Sequence, residues 1–244
     1  MKEATFVALF IGNTILHTMK KYAVIVAGGN GQRMGTDTPK QFLLLQQKSL
    51  LWHTLHTFLS TFDDLHIILV LPKNNIQEGE NLCKDLEAES RVIITEGGIT
   101  RFHSVQNGLQ FITEPSIVFV HDGVRCLVSK DLILRCYDQA MVKGSAIPAV
   151  VATDSIRIME DEYHHVINRN NIRIIQTPQT FQSQILLPAF QQPYDERFTD
   201  EATVVEASGE LVWLLEGEYN NIKITRPLDL VIAEKILAER SMPE

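Results

Sequence analysis

The chain has 244 residues, 45% of them hydrophobic, enough for one sizeable core in a single α/β domain. Its formal net charge of −8 excludes a general basic surface for nucleic acid, so any anion must be held by a local cluster of Arg and Lys. Three irregularly spaced cysteines, Cys83, Cys126 and Cys136, exclude a disulfide framework and a paired-cysteine zinc site, and no stretch reaches the roughly 18 apolar residues that span a bilayer.

Residues 1–18 carry an apolar run at 6–11 behind Lys2, the outline of a secretion signal. Glu3 stands where a basic segment belongs, and no small-residue cleavage site follows. We therefore expect a cytoplasmic protein with reduced thiols, a natural start at Met19, and one domain over 19–244 with 1–18 outside it. The first strand is predicted over 22–27. It runs into a turn with Gly28, Gly29, Gly31 and Gly35, where missing side chains let backbone N–H groups approach an anion. Arg33 adds a planar fork of donors and Lys40 a compact charge, a combination suited to a triphosphate. The dinucleotide fingerprint fails because Met34 stands where its third glycine belongs, and no Walker-type sequence is present. A plain strand-to-helix turn with a solvated Arg and Lys is the alternative, but it needs neither four glycines nor two cations.

A helix over 49–59, a strand over 66–71, a polar helix over 75–88 and a strand over 92–95 continue the rhythm of a parallel α/β sheet. His53 and His56 lie three apart on the first helix, beside Trp52 and Leu55 and with no third ligand, and His164-His165 reads as a solvated turn. No histidine metal site is expected. Gly97-Gly98, Arg101 and Ser104 form a second strand-to-helix turn with donors, suited to a base or a phosphate, or simply to a helix start relieved of crowding. A helix over 102–111 leads to a β-branched strand over 117–121. Asp122 emerges at its C-terminal end with Arg125 three residues on, at the sheet edge where open α/β folds bind ligands. There Asp122 could hold Mg²⁺ or a ribose hydroxyl, or it could simply pair with Arg125.

After a helix over 132–141 and a strand over 146–151, Ile156 and Ile158 alternate with polar residues up to a turn at 160–162 and a second extended run at 165–167. That pattern predicts a hairpin over 153–167 with little core of its own, which implies packing on another subunit. Arg169, just beyond it, is uninformative from composition. Strands over 211–215 and 222–224 and a helix over 227–239 opening on Pro227 complete the chain. Lys223 stands between two isoleucines, so its side chain points away from the core, toward the site or toward solvent.

Five blocks in order resemble 2-C-methyl-D-erythritol 4-phosphate cytidylyltransferase, from Tyr22 to the C-terminal helix: the loop from Ala27 to Gln41, Val120-His121-Asp122 with Arg125, Thr177-Pro178-Gln179, Thr199-Asp200-Glu201-Ala202, and Asn221 to Pro227. The resemblance implies a Rossmann-like nucleotidyltransferase fold: a mostly parallel twisted sheet flanked by helices, with a projecting β-hairpin arm at about 152–170. It also implies a homodimer whose arms reach across the partner, Mg²⁺ as cofactor, and transfer of CMP from CTP to the erythritol phosphate with release of pyrophosphate. By the same resemblance Arg33 and Lys40 stabilise charge on the phosphates in the transition state, and Arg169 and Lys223 position the attacking substrate. Ala27, Gly28, Gly29, Gly31, Gly98, Ser104 and Asp122 match nucleotide-contacting positions, with Asp122 also the metal ligand, and Arg125 and Ser155 match positions near the substrate phosphate. The chain departs from the usual pattern at Gly28, where a second Ala is common, and at Ile99, Cys126 and Ser155, where Asp, Pro and Thr are common. Ser155 keeps the hydroxyl. Ribitol-5-phosphate cytidylyltransferase is the nearest rival, since it shares the loop and the lysine, while the blocks at 199–202 and 225–227 look more like the erythritol branch. A non-catalytic nucleotide-sensing module is the rival of another class, disfavoured because Lys40 and Lys223 serve transfer more than binding.

Overall fold

The computed structural model describes residues 19–28 and 38–240. Gly29, Gly31, Arg33 and Gly35 of the first turn, and the leader over 1–18, lie outside the described residues. Strand β1 (Lys20–Val26) lies inside the main sheet, flanked on one side by β4 (Leu65–Leu71) and then β5 (Val92–Glu96), and on the other by β6 (Ser116–Asp122), while the short β2 (Leu44–Leu45) and β3 (Lys48–Ser49) pair with each other. Strands β1, β4, β5 and β6 run parallel. Because both faces are covered, the middles of these strands are almost continuously apolar, with polar residues mainly at their ends, and alternate residues go to two different cores. Ala23, Ile25, Ile67, Leu69, Ile117 and Phe119 enter one core, and Tyr22, Val24, Ile68, Val70, Val118 and Val120 the other.

The first core is closed by α1 (Leu50–Leu59), α2 (Ile76–Asp85) and α4 (Lys130–Lys143), the second by α3 (Arg101–Leu109), α5 (Ser183–Ala189) and α6 (Glu201–Ala207). Helix starts follow their caps: Ser49 accepts from Trp52 N at 3.1 Å and Ser129 from Leu132 N at 3.0 Å. Helix α4 ends at Gly144, whose φ of +86° favours glycine. Gly108 lets α3 lie close on β1, since a Cβ there would come within 2.7 Å of Val24 Cγ1. Helix α7 (Pro227–Arg240) buries Ala233 in a third cluster with Leu45, Leu50 and Ile224.

The α/β expectation holds, and the differences lie in the second half of the chain. Beyond β6 the sheet continues through β11 (Gln179–Gln182), antiparallel to both β6 and β7 (Ser145–Val151), with β10 (Arg173–Ile175) antiparallel and β12 (Leu214–Glu216) parallel to β7. Strands β10 and β11 are too short, and β11 too polar, to stand out in the sequence. Residues 211–213 are irregular, so the strand predicted over 211–215 starts only at Leu214. The strand predicted over 222–224 is absent. Ile224 N donates to Val124 O at 3.0 Å, and no ladder forms, although Ile224 is buried and Lys223 exposed as the alternation predicts. The hairpin forms as expected from β8 (Ile156–Glu160) and β9 (Tyr163–Ile167), which pair only with each other. It leaves Met159, Tyr163 and Val166 66%, 81% and 64% exposed. No helix among the described residues is long and apolar enough to cross a membrane.

Candidate active site

From β1 the chain moves outward to β4 and β5, then crosses back to lay β6 on the opposite side of β1. The strand order reverses there, and a crevice opens at the carboxyl ends of β1 and β6. Val26 is level with Asp122; Ala27 N donates to Val70 O and Gly123 N to Val26 O, both at 2.9 Å. The continuation of β1, Ala27-Gly28, therefore emerges beside Asp122. A cavity of about 240 Å³, open to solvent, lies above them, lined by Ala27, Gly28, Lys40, Gln41, Gly98, Arg101, Ser104, Asp122 and Lys223. Helix α3 begins at this cavity, so its unpaired N–H groups add to the positive field.

Ser104 shapes the wall by accepting from Gly98 N at 3.0 Å and donating to Thr100 O at 2.9 Å. Gly98 allows this close approach, since a Cβ there would meet His103 Cβ at 2.3 Å. Asp122 gathers three cations: Lys223 Nζ at 2.8 Å from Oδ2, Arg101 Nε at 3.3 Å from Oδ1, and Arg125 Nε at 3.7 Å from Oδ2. Burial works against the charge of Asp122, but Arg101 and Lys223 outweigh it and hold the carboxyl well below the usual carboxylate range. Arg101 also grips Glu201 with both terminal nitrogens. Burial disfavours the Arg101 charge, yet Glu201 and Asp122 raise its proton affinity. Among the described residues, the cavity wall thus presents three cations, Lys40, Arg101 and Lys223, and one carboxylate, Asp122, an anion-seeking surface on an acidic chain.

A ring of hydrogen bonds sets these groups from behind. Thr177 Oγ1 accepts from Asp122 N at 3.1 Å and donates to His121 Nδ1 at 3.0 Å, and His121 Nε2 donates to Arg125 O at 3.2 Å. Arg125 Nη1 donates to Asn221 O at 2.8 Å, and Asn221 Nδ2 donates to Thr177 O at 2.8 Å, closing the ring next to Lys223. These roles require a neutral imidazole at His121. Burial depresses its pKa to about 3.

Of the residues singled out in the sequence, the fold brings Ala27, Gly28, Lys40, Gly98, Ser104, Asp122 and Lys223 to one cavity. Arg125 lies behind it, half-buried and spent on backbone carbonyls and Asp122, the strand-end ion pair that the sequence left open. Arg169 and Ser155 are exposed at the base of the arm, away from the cavity wall; Arg169 donates to Thr153 O. His53 bonds Leu45 O at 2.8 Å, and His56 stacks on Trp52 with centroids 4.6 Å apart. Arg101 was visible in the sequence only as one donor of a turn, and Glu201 only as part of a motif. Their pairing spans 100 positions, and no local spacing could reveal it.

The family model for IspD, 2-C-methyl-D-erythritol 4-phosphate cytidylyltransferase, matches residues 21–239. A protein of that name from Phocaeicola vulgatus is 43% identical over 219 residues, covering 90% of this chain and all of the relative, and one from Porphyromonas gingivalis is 44% identical, covering 89% and 98%. Among solved structures, the 4-diphosphocytidyl-2C-methyl-D-erythritol synthase of Anaerococcus prevotii superposes with a TM-score of 0.79 at 26% identity, covering 92% of this chain and 99% of its own. The cytidylyltransferase of Francisella tularensis reaches a TM-score of 0.73 at 31% identity, covering 88% and 99%. A cationic cavity at the strand-order reversal, in a chain alike over nearly its whole length, has one consistent explanation: this chain belongs to the 2-C-methyl-D-erythritol 4-phosphate cytidylyltransferase family.

Proposed function

We infer that the chain transfers CMP from CTP to 2-C-methyl-D-erythritol 4-phosphate, releasing pyrophosphate, in isoprenoid precursor synthesis. The observation that carries this reading is the meeting of Lys40, Arg101 and Lys223 with Asp122 in the crevice between β1 and β6. A phosphate oxygen of the polyol attacks the α-phosphorus of CTP. The new P–O bond forms as the bond to the β-phosphate oxygen breaks, and pyrophosphate leaves with the electron pair. No side-chain nucleophile is needed. What the protein must supply is cations that offset the repulsion of two anions and then hold the charge growing on the transferring group. Lys40 and Lys223, from two separate segments of the cavity wall, are proposed for that role, with Arg33 assigned to it by motif. Arg169 and Ser155, at the base of the arm, are proposed to take the polyol phosphate from across a dimer, whereas Arg125, held by Asn221 O, Ile175 O and Asp122 behind the wall, is not available for it.

Magnesium fits the donor set. Asp122 offers a hard carboxylate at the cavity, and no group of three or more His, Cys, Asp or Glu suited to a metal occurs among the described residues. Mg²⁺ is commonly held in that way, by one or two carboxylates with substrate phosphates and water. When bound it supplies charge neutralisation on the phosphates, and Asp122 is the residue that would hold it. Three buried, unpaired cysteines support a reducing, cytoplasmic location.

Pyrophosphate release should be assayed with CTP and each polyol phosphate. Release with methylerythritol phosphate and little with ribitol 5-phosphate is expected; the reverse would favour the ribitol reading, and CTP binding without turnover a sensing module. The arm is proposed to form a homodimer, since Met159, Tyr163 and Val166 leave it with an apolar surface and no core. Light scattering should give a dimer for the wild type and a monomer for the Met159→Glu, Val166→Glu double variant. A wild-type monomer at micromolar concentration would remove the proposal.

A further inference from the structure

Glu201 is 1% exposed and does not line the cavity, yet it holds a residue that does. Its two carboxylate oxygens take the two terminal nitrogens of Arg101, Oε2 at 3.1 Å from Nη2, while Arg101 Nε reaches Asp122 Oδ1 at 3.3 Å. The guanidinium is thereby fixed along two edges between carboxylates, which a lysine could not reproduce. Glu201 itself is anchored to the sheet. Asp200 caps α6 by accepting from Thr203 N at 2.9 Å, and the fully buried Gln179 of β11 donates to Asp200 Oδ2 at 3.0 Å and accepts from Ala202 N at 2.8 Å. Full burial raises the proton affinity of Glu201, and Arg101 opposes that rise.

A buried ion pair is a poor device for stability, because well-packed apolar residues of similar volume commonly do as well or better. The use of this one lies at its cavity end. We propose that Glu201 is a positioning residue for the transfer reaction, acting through Arg101 to fix the Asp122 carboxylate so that Oδ1 is held by the protein and Oδ2 stays beside Lys223. The proposal rests on the cytidylyltransferase reading above.

The test is a double-mutant cycle of Glu201→Leu and Arg101→Met, with Glu201→Gln as a conservative variant, reading melting temperature, kcat and KM together. Arg101→Met strands the buried Glu201 carboxylate and should lower the melting temperature by roughly 10 °C; Glu201→Leu should lower it less, because Arg101 is 28% exposed and keeps Asp122, and the double variant should return to within a few degrees of wild type. Turnover of the double variant should stay at least about tenfold down, mainly in kcat, because Asp122 has lost its hold. Glu201→Gln should lose kcat with a smaller drop in melting temperature. If turnover recovers along with stability in the double variant, or if Glu201→Gln keeps wild-type kcat, the pair is structural and the proposal fails. A stably folded wild type without turnover on CTP and the erythritol phosphate would sink the underlying reading instead, and this proposal with it.

Discussion

Lys223→Met is expected to lower turnover by about 10²–10³, with the melting temperature nearly unchanged. The two effects separate because of where the ammonium sits. Lys223 is 41% exposed, and its contact with Asp122, though short at 2.8 Å, is open to water, so its loss has a modest effect on stability. Asp122 keeps Arg101 and Arg125 as counter-charges, and no buried carboxylate is left unpaired. Of the other cations among the described residues of the wall, Arg101 is already held by Glu201 and Asp122, and Lys40 stands on a different segment. Preorganised cations act there where two phosphorylated molecules must approach, and water reorganises too late to substitute for them. Lys40→Ala, at another segment of the same wall, should behave alike. Steady-state pyrophosphate release together with thermal melts would check both; turnover near wild type in Lys223→Met would refute its placement in the chemistry.

The second large effect is in acid. His121 is fully buried and serves its ring of hydrogen bonds only as a neutral imidazole. Its pKa of about 3 in the fold lies below the ordinary histidine value of 6.5, so between those pH values the unfolded chain binds the extra proton. Stability therefore falls with acidification, by about 1.4 kcal/mol for each pH unit below roughly 6.5, and this contribution levels off only near the folded value. The depressed Asp122 carboxyl acts in the same direction further down: its stabilisation is present above the ordinary carboxylate pKa and is lost as pH falls through and below that range. Denaturant melts from pH 7 to pH 4.5 should show the decline, and His121→Asn, less stable at pH 7, should show a flatter profile. A flat wild-type profile would contradict a buried, neutral His121.

Much of the candidate site is legible in the sequence. Gly28 and Lys40 stand out because a glycine-rich turn with nearby cations exceeds what a turn needs, and Asp122 because it ends the most apolar strand. Lys223 was readable by alternation alone: Ile222 and Ile224 turn inward, so the lysine between them turns out. Lys223 is exposed although the segment forms no strand, because packing the two flanking isoleucines inward sets the direction of the residue between them whether or not a ladder forms. The arm was readable for a similar reason, as an alternating hairpin too poor in apolar residues to support a core.

The sequence by itself determined the parallel α/β half of this protein, since period-2 and period-3.6 burial patterns are local and the helix caps sit within a few residues of what they cap. It also determined the chemistry on offer, cations and a carboxylate at turn positions. Only the tertiary structure decided which of them meet. Arg101 and Glu201, 100 positions apart, and the ring from His121 through Thr177 to Asn221 exist because β11 runs antiparallel beside β6 and carries distant segments to the end of that strand. Such partners are chosen by shape and desolvation after the chain has closed on itself, and neither leaves a mark in local spacing.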